Sequence, residues 1–427
     1  MKHIFFTQVK IPCFGKKKIE KAVCLLSIIF MLRKIFFICF SLFATLPILA
    51  QSGDAYDGGI ITAEVKSAAP IFRVGVHGDA EAKALATRAL GTHGSFKVVP
   101  SDGQYDFEFA RNSDTSVILT IKGAKPFTQT VHGKTFSDAV AKACDVIVKM
   151  VLGKQGYFSG QLVFVSDRTG KTEIYTSDML FQNIRALTAD NSDSMLPHWS
   201  PDGSKVLYTG YYRTQLMDLY EIDLNLQKRR TFASYKGMNT GGAYSPDGKY
   251  VSLILTNTGN AEIWRLNSDG TSPKRLTKNK SVEASASWSP DGTELIFSSD
   301  AMGGPQIYRM SANGGQMSRI PTNISRYCSE PDWNKVNPNL IAFTAATDAG
   351  FQIAVYDFAT KEAKFITSGG SASHPKWLND GRHLVYTRSY GGARAVYIVD
   401  SITGKYTRLH SDKVGSCGEA DFIYTNN

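Results

Sequence analysis

The chain has 427 residues, too many for one ordinary core, and its composition is that of a folded protein, with 43% hydrophobic and 20% charged residues. Its formal charge of +10 would suit a nucleic-acid partner, but residues 1–50 hold eight Lys/Arg and one Glu, which leaves +3 for residues 51–427 and argues against a basic nucleic-acid surface. The 37 Gly, 19 Tyr and 24 Phe favour strands and tight turns.

Residues 1–50 read as a leader. Arg33-Lys34 precedes an apolar run, Ile35 to Leu49, that ends on the small residue Ala50, the pattern of an export signal cut after Ala50. Met31 stands where such a signal would naturally begin. The alternative, an uncleaved membrane anchor from Val23 to Ala50, would put Arg33 and Lys34 mid-span at about 2.5–3.5 kcal/mol each. A lipid-modified Cys39 is disfavoured by the bulky Phe37 and Ile38 before it. Residues 51–70, rich in Gly, Ala, Ser and Asp and without periodicity, read as a flexible arm.

Residues 71–155 read as a small α/β domain. A strand at Ile71–Val76 is followed by an Ala-rich helix over Asp79–Leu90 with the stripe Ala82, Leu85, Ala86 and Ala89. Strands are predicted at Phe96–Val99, Tyr105–Phe109, Val117–Ile121 and Phe127–Val131. A closing helix from Ser137 to Leu152 carries Val140, Ala143, Cys144, Ile147 and Val151 on one face. The order βαββββα implies a small sheet with both helices on one face. Cys144 lies on the apolar stripe and reads as a buried small hydrophobe.

From residue 158 onward the chain repeats. Ser-Pro-Asp-Gly stands at 200–203, 245–248 and 289–292, with looser copies at Asn334–Pro338 and Asn379–Gly381. An aromatic precedes each turn, and a sixth lies near the end: Trp199, Tyr244, Trp288, Trp333, Trp377 and Phe422, spaced 45, 44, 45, 44 and 45 residues. Pro presets φ and Asp-Gly tolerates the following turn positions, so each such turn closes a hairpin. Three more strand patterns recur per period, giving the four-stranded unit of a propeller blade. Residues 160–166 lack the aromatic strand that should precede them, and Phe422 lacks a successor. The expected fold is an α+β N-terminal domain followed by an all-β six-bladed propeller over 158–427, its first blade completed by the C-terminal strand.

Catalytic signatures are missing. The sequence contains no H-E-x-x-H, no G-x-S-x-G and no phosphate-binding loop, and no His pairs with Cys at zinc-ligand spacing. No catalytic residue, metal or cofactor is expected. Cys328 and Cys417 hold equivalent places five residues before their aromatics, in non-adjacent blades, which argues against a disulfide. If the aromatic strands are innermost, the loops before them ring one channel mouth. Leu196, Gly241, Ser285, Glu330, His374 and Glu419 stand three residues before the aromatics, with Asp193, Asn239 and Glu283 nearby. That polar, mildly acidic ring reads equally as a site for a peptide, protein loop or cation and as a solvated channel entrance.

The run Phe158-Ser-Gly-Gln-Leu-Val-Phe-Val-Ser-Asp-Arg-Thr-Gly-Lys-Thr-Glu-Ile-Tyr175, the Trp/Tyr-Ser-Pro-Asp-Gly turns, Pro273–Thr277 and Ser329–Trp333 resemble the TolB family of periplasmic propellers. The resemblance is strong over 158–427 and one of layout over 71–155. It implies a periplasmic protein-binding scaffold of the Tol–Pal system, monomeric and peripheral to the envelope membranes, supporting outer-membrane integrity and cell division. It implies the peptidoglycan-associated lipoprotein Pal over the propeller mouth and a contact of the N-terminal arm with TolA. The partner-binding set is then Met238, Asn239, Gly241, Glu283, Ala284, Ser285, Ser329, Glu330, His374 and Glu419, of which Met238 and Gly241 depart from the family's usual larger polar residues. The competing reading is an exported enzyme or glycan-binding propeller that uses the same mouth.

Overall fold

The structure is a computed structural model that describes residues 70–123, 126–214 and 216–425. The predicted leader, and all of the predicted arm except Pro70, lie outside these residues. Among the described residues, no helix is long and apolar enough to cross a membrane.

The N-terminal α/β region runs β1 (Phe72–Gly78), α1 (Ala80–Thr92), β2 (Phe96–Val98), β3 (Tyr105–Ser113), β4 (Ser116–Lys122), β5 (Phe127–His132) and α2 (Phe136–Leu152). Its sheet has the order β2-β1-β3-β4-β5, with β1 parallel to both neighbours and the remaining pairs antiparallel. Helix α1 starts where the Asp79 carboxylate accepts the N–H groups of Glu81 and Ala82. Helix α2 starts at a Thr135 cap on Asp138 N and stops at Gly153, whose φ of 63° is left-handed. The two helices pack against each other and the sheet, burying the expected stripes, Cys144 included, except for Val151, which is half-buried.

One charge is buried at the exit of α2. The Asp145 carboxylate accepts the N–H groups of Phe158 (2.8 Å) and Ser159 (3.1 Å) and the Ser159 hydroxyl (2.5 Å), and it receives Tyr424 Oη at 3.3 Å. Burial pushes this carboxyl up to about 6 despite those donors. Asp145→Ala orphans two buried backbone donors at the start of the first blade. We expect it to lower unfolding free energy by about 2–4 kcal/mol, read as a denaturation midpoint shift at unchanged slope.

Six four-stranded sheets follow, and the first is closed by the chain's final strand. Blade 1 consists of Cys417–Ile423, Gln161–Ser166, Glu173–Asp178 and Arg185–Ala186. Blades 2 to 6 begin with the inner strands Ser194–Trp199, Asn239–Tyr244, Glu283–Trp288, Cys328–Trp333 and Ser371–Trp377. These inner strands touch one another in order around the axis, and Cys417–Ile423 lies between those of blades 6 and 2. Each Ser-Pro-Asp-Gly turn works as the sequence predicts. Ser200 Oγ donates to Asp202 Oδ1 (2.6 Å) and accepts Lys205 N (2.8 Å), while Gly203 takes φ 71°. Ser245–Gly248 and Ser289–Gly292 repeat the arrangement.

The propeller has two distinct ends. The Ser-Pro-Asp-Gly turns mark one, here the turn end. The hairpins between second and third strands mark the other, the hairpin end, because the last residue of a second strand pairs with the first of its inner strand, as Gly210 does with Ser194. The α/β region docks on the turn end of blades 6 and 1. Asn379 Nδ2 donates to Gly156 O (2.9 Å), Arg382 Nη1 to Ser95 Oγ (2.8 Å) and Lys405 Nζ to Phe96 O (3.2 Å). Gly94 approaches so closely that a Cβ there would lie 1.7 Å from Asp400 Oδ2.

Candidate functional site

The inner strands turn two layers of side chains toward the axis. The hairpin-end layer is the predicted one: Leu196, Gly241, Ser285, Glu330, His374 and Glu419. All six have left-handed φ, 51° to 65°, each at a register shift between inner and second strand. They therefore belong to bulged strands and not to loops, which corrects the sequence expectation. The bulge twists the strand and points its N–H at the neighbouring blade. Glu330 Oε2 accepts His374 N (2.9 Å), Glu419 Oε2 accepts Leu196 N (2.8 Å) and Thr209 Oγ1 accepts Gly241 N (3.2 Å). Glu330 Oε1 also lies 3.2 Å from His374 Nε2, and Glu419 Oε1 lies 3.5 Å from Arg394 Nη1.

The predicted partner-binding set divides in two. Met238, Gly241, Ala284, Ser285, Glu330, His374 and Glu419 are half-buried around this mouth. Asn239, Glu283 and Ser329 are buried, so they do not offer their side chains to a partner. The Asn239 amide accepts Tyr235 N (2.7 Å) and donates to Tyr235 O (2.8 Å), tying down the preceding turn. Glu283 Oε1 accepts Ser299 Oγ (3.0 Å). Polar residue type and nearness to the mouth could not separate these structural groups from accessible ones.

The hairpin end has a second feature. The hairpins between second and third strands carry exposed apolar side chains: Tyr212 and Leu216 in blade 2, Met302 in blade 4 and Tyr390 in blade 6, the last 81% exposed. The hairpins of blades 5 and 6 are also longer, with eight-residue strands where other blades have six. Tyr327 and Phe351 pack at 5.3 Å at the base of the blade 5 hairpin. Together these tips form a discontinuous apolar rim around a polar channel. It faces away from the α/β region.

The turn-end layer, two residues further along each strand, was not singled out from sequence. It consists of His198, Ala243, Ser287, Asp332, Lys376 and Asp421, of which all but Asp421 line an axial cavity of about 290 Å³. Asp332 and Asp421 each accept the N–H of the next blade's aromatic, Trp377 and Trp199, at 2.9 Å. Lys376 Nζ donates to Asp332 Oδ1 at 3.2 Å. Burial opposes its charge, but Asp332 and Asp421 outweigh burial and raise its pKa. The signal that could have found this layer is the shared pattern Glu-x-Asp-aromatic at Glu330–Trp333 and Glu419–Phe422.

A third cluster lies where the α/β region meets blade 6. Ligand atoms of His93, Asp380 and His383 fall within 4.8 Å of one another, close enough to reach one ion. His383, however, is already paired, with Nδ1 2.5 Å from Asp380 Oδ2 and Nε2 3.5 Å from Asp400 Oδ2. Burial opposes its charge, yet the two carboxylates raise its pKa to about 9. A protonated imidazole has no lone pair for a metal, so the cluster reads as a buried ion-pair network.

Comparison with known proteins agrees with this architecture. At 29% identity over 175 residues, 41% of this chain resembles the Tol-Pal system protein TolB of Desulfotalea psychrophila. At 35% identity over 120 residues, 28% of the chain resembles the uncharacterized protein Atu1656 of Agrobacterium fabrum. The matched segments span 38% and 40% of those two relatives' lengths. The solved structure of TolB from Acinetobacter baumannii superposes with a TM-score of 0.74 at 20% identity, covering 85% of this chain and 99% of that one, which supports the shared fold. The family described as the TolB beta propeller domain matches residues 148–419, more than half of the sequence, and the chain belongs to that family.

Proposed function

We propose that the protein is a periplasmic, non-catalytic scaffold of the Tol–Pal type that seats a protein partner over the hairpin-end mouth. The partner is the peptidoglycan-associated lipoprotein Pal, and the arm before Pro70 reaches TolA. The role is support of outer-membrane integrity and cell division. Membership of the TolB propeller family and the curated Tol-Pal relatives support the system. The observation that carries the choice of mouth is the ring of exposed Tyr212, Leu216, Met302 and Tyr390 around it. Isolated exposed apolar groups are ordinary, but aromatic and Met side chains gathered around one concave entrance are what the anchors of a protein interface look like.

Glu330 is tied into the propeller wall through one oxygen, while its other oxygen lies 3.2 Å from His374 Nε2. The tied oxygen is held by His374 N and Thr344 Oγ1 (2.7 Å), so the carboxylate bridges two blades. Binding therefore rests on the rim, with Met238, Gly241, Ala284, Ser285, His374 and Glu419 as the floor beneath it.

The test is binding of purified lipoprotein by calorimetry, with the double variant Met302→Ser/Tyr390→Ser as the probe. Both side chains are exposed, so the melting temperature should hold. Affinity should fall at least about tenfold, or 1.4 kcal/mol. Unchanged affinity would remove the hairpin-end rim from the interface. Turnover or glycan binding that Glu330→Ala abolishes would favour the competing enzyme or lectin reading.

A further inference from the structure

We propose that the groove between helix α1 and the outer strand of blade 6 binds a phosphomonoester, with its phosphate held by Lys83, Arg88 and Lys97. The groove has a volume of about 740 Å³, inside the roughly 300–1,000 Å³ range of small-molecule sites. Ala80, Ala84, Thr87 and Gly91 form its helical wall. Lys97 and Val98 belong to β2, and Lys405 and Thr407 lie at the outer strand Tyr406–Arg408 on the propeller side. The short side chains on α1 open the space, and a Cβ on Gly91 would meet no atom within 4 Å.

The charge of the lining sets the ligand class. Four of its ten residues are cationic and none is acidic. Lys83 and Lys97 are exposed, and neither forms an ion pair with another described residue. Arg88 is half-buried and donates through Nη2 to Leu409 O, which leaves most of the five N–H donors of the guanidinium for another acceptor. The carboxylate whose charge acts on Arg88 is Asp178, which lies outside the lining. It is occupied by Leu180 N (3.0 Å), Gln182 N (2.9 Å) and Asn183 Nδ2 (2.7 Å). Lys405 is buried, with Nζ on His93 O (3.4 Å) and Phe96 O (3.2 Å), so it contributes positive potential more than a direct contact. Thr407 is 3% exposed, and its hydroxyl has no hydrogen-bond partner.

Cations gathered without a counter-charge favour a ligand that brings more than one negative charge. A phosphomonoester carries about −1.5 to −2 at neutral pH and three acceptor oxygens. Those oxygens suit a planar guanidinium, two mobile ammonium groups and a spare hydroxyl. A carboxylate would bring half the charge. The apolar part of the wall, Ala80, Ala84 and Val98, fits the carbon portion of an ester better than it fits bare phosphate. The groove lies beside the α/β region and not at the hairpin-end mouth, so it stands or falls independently of the proposed partner.

The test is calorimetric titration of the full chain with sn-glycerol 3-phosphate, with acetate and glycerol as controls. The phosphate ester should bind saturably, acetate should bind at least about tenfold more weakly, and glycerol should not bind. The double variant Lys83→Gln/Lys97→Gln changes two exposed side chains, so the melting temperature should hold while affinity for the ester falls at least about tenfold. Gly91→Phe should fill the groove and abolish binding. Should Gly91→Phe melt below the parent, the lysine pair decides. Flotation with phosphatidate vesicles separates two sources of the same chemistry. Vesicle binding that the lysine variant loses assigns the site to a lipid headgroup, and ester binding without vesicle binding assigns it to a free metabolite. No saturation by the ester, equal binding of acetate, or unchanged affinity in Lys83→Gln/Lys97→Gln would each overturn the proposal.

Discussion

Ending the chain after Ser416 should abolish cooperative unfolding of the propeller. The strand lost, Cys417–Ile423, is the inner strand of blade 1 and pairs with Gln161–Ser166 from Cys417↔Ser166 to Ile423↔Gln161. With it go buried Cys417, Ala420 and Phe422. Two inter-blade acceptors also go, since Glu419 and Asp421 hold Leu196 N and Trp199 N of blade 2. Blade 2 then presents two orphaned donors, blade 6 loses its neighbour, and Gln161–Ser166 becomes an unpaired edge. A point variant isolates the packing share. Phe422 fits so tightly that a Cβ on Gly160 would lie 2.2 Å from its ring. Phe422→Ala should cost about 3–5 kcal/mol, a large part of the 5–15 kcal/mol that holds a typical protein folded. Denaturant melts followed by circular dichroism and tryptophan fluorescence read both variants. A truncated chain melting at the parent midpoint would refute closure by this strand.

The second large effect is a loss of stability in alkali, set by His383. This imidazole is fully buried between Asp380 and Asp400. Arg382 pairs with Asp400 through Nε (2.9 Å) and Nη2 (2.6 Å). The His93 ring lies 4.5 Å away, kept neutral by burial and by the charges of His383 and Arg382. Tyr157 packs at 4.8 Å, and Lys405 donates to His93 O. His383 holds its proton to about pH 9 in the folded chain, against about 6.5 when unfolded. The folded state thus binds the extra proton. Its contribution is complete below about pH 6.5 and drains away as pH rises through 9, about 3 kcal/mol in all. Asp380 and Asp400 behave oppositely. Burial would raise them, but His383 holds both below the usual carboxylate range, helped at Asp400 by Arg382. Their share is present above the unfolded carboxylate value and is lost as pH falls through the folded one. Unfolding free energy measured from pH 5 to 10 should decline on the alkaline side. His383→Gln should flatten that decline while costing about 3–5 kcal/mol at pH 6, because it strands two buried carboxylates beside one arginine. An alkaline limb of equal slope in His383→Gln would assign the effect elsewhere.

The parts of this molecule that could be read from sequence are those written in local chemistry. The Ser-Pro-Asp-Gly turns recur because each Asp and Ser must cap its own hairpin, and Trp199 to Phe422 recur because each blade needs one large side chain against the next. Complementary unfinished ends at Gln161 and Phe422 were enough to infer closure. The left-handed bulges were not legible. Leu196, Ser285, Glu330 and Glu419 are not residues that prefer positive φ, and the inner-strand geometry puts them there. Glu283 and Asn239 looked like mouth residues because sequence shows polarity but not direction. The pairing of His93 with His383 spans 290 residues and exists only because α1 ends against blade 6, which no periodicity announces.

Blade 1 also bears on how the molecule comes to be folded. Its paired strands Gln161–Ser166 and Cys417–Ile423 are separated by about 250 residues of chain, so their union is among the most non-local events available to it. Until that union, Gln161–Ser166 offers an open strand edge to any passing β-former, including another copy of the same chain. The slow step of refolding should therefore be the meeting of these two segments. Aggregation during that interval should grow with protein concentration, which makes blade 1 the natural place for a chaperone to intervene.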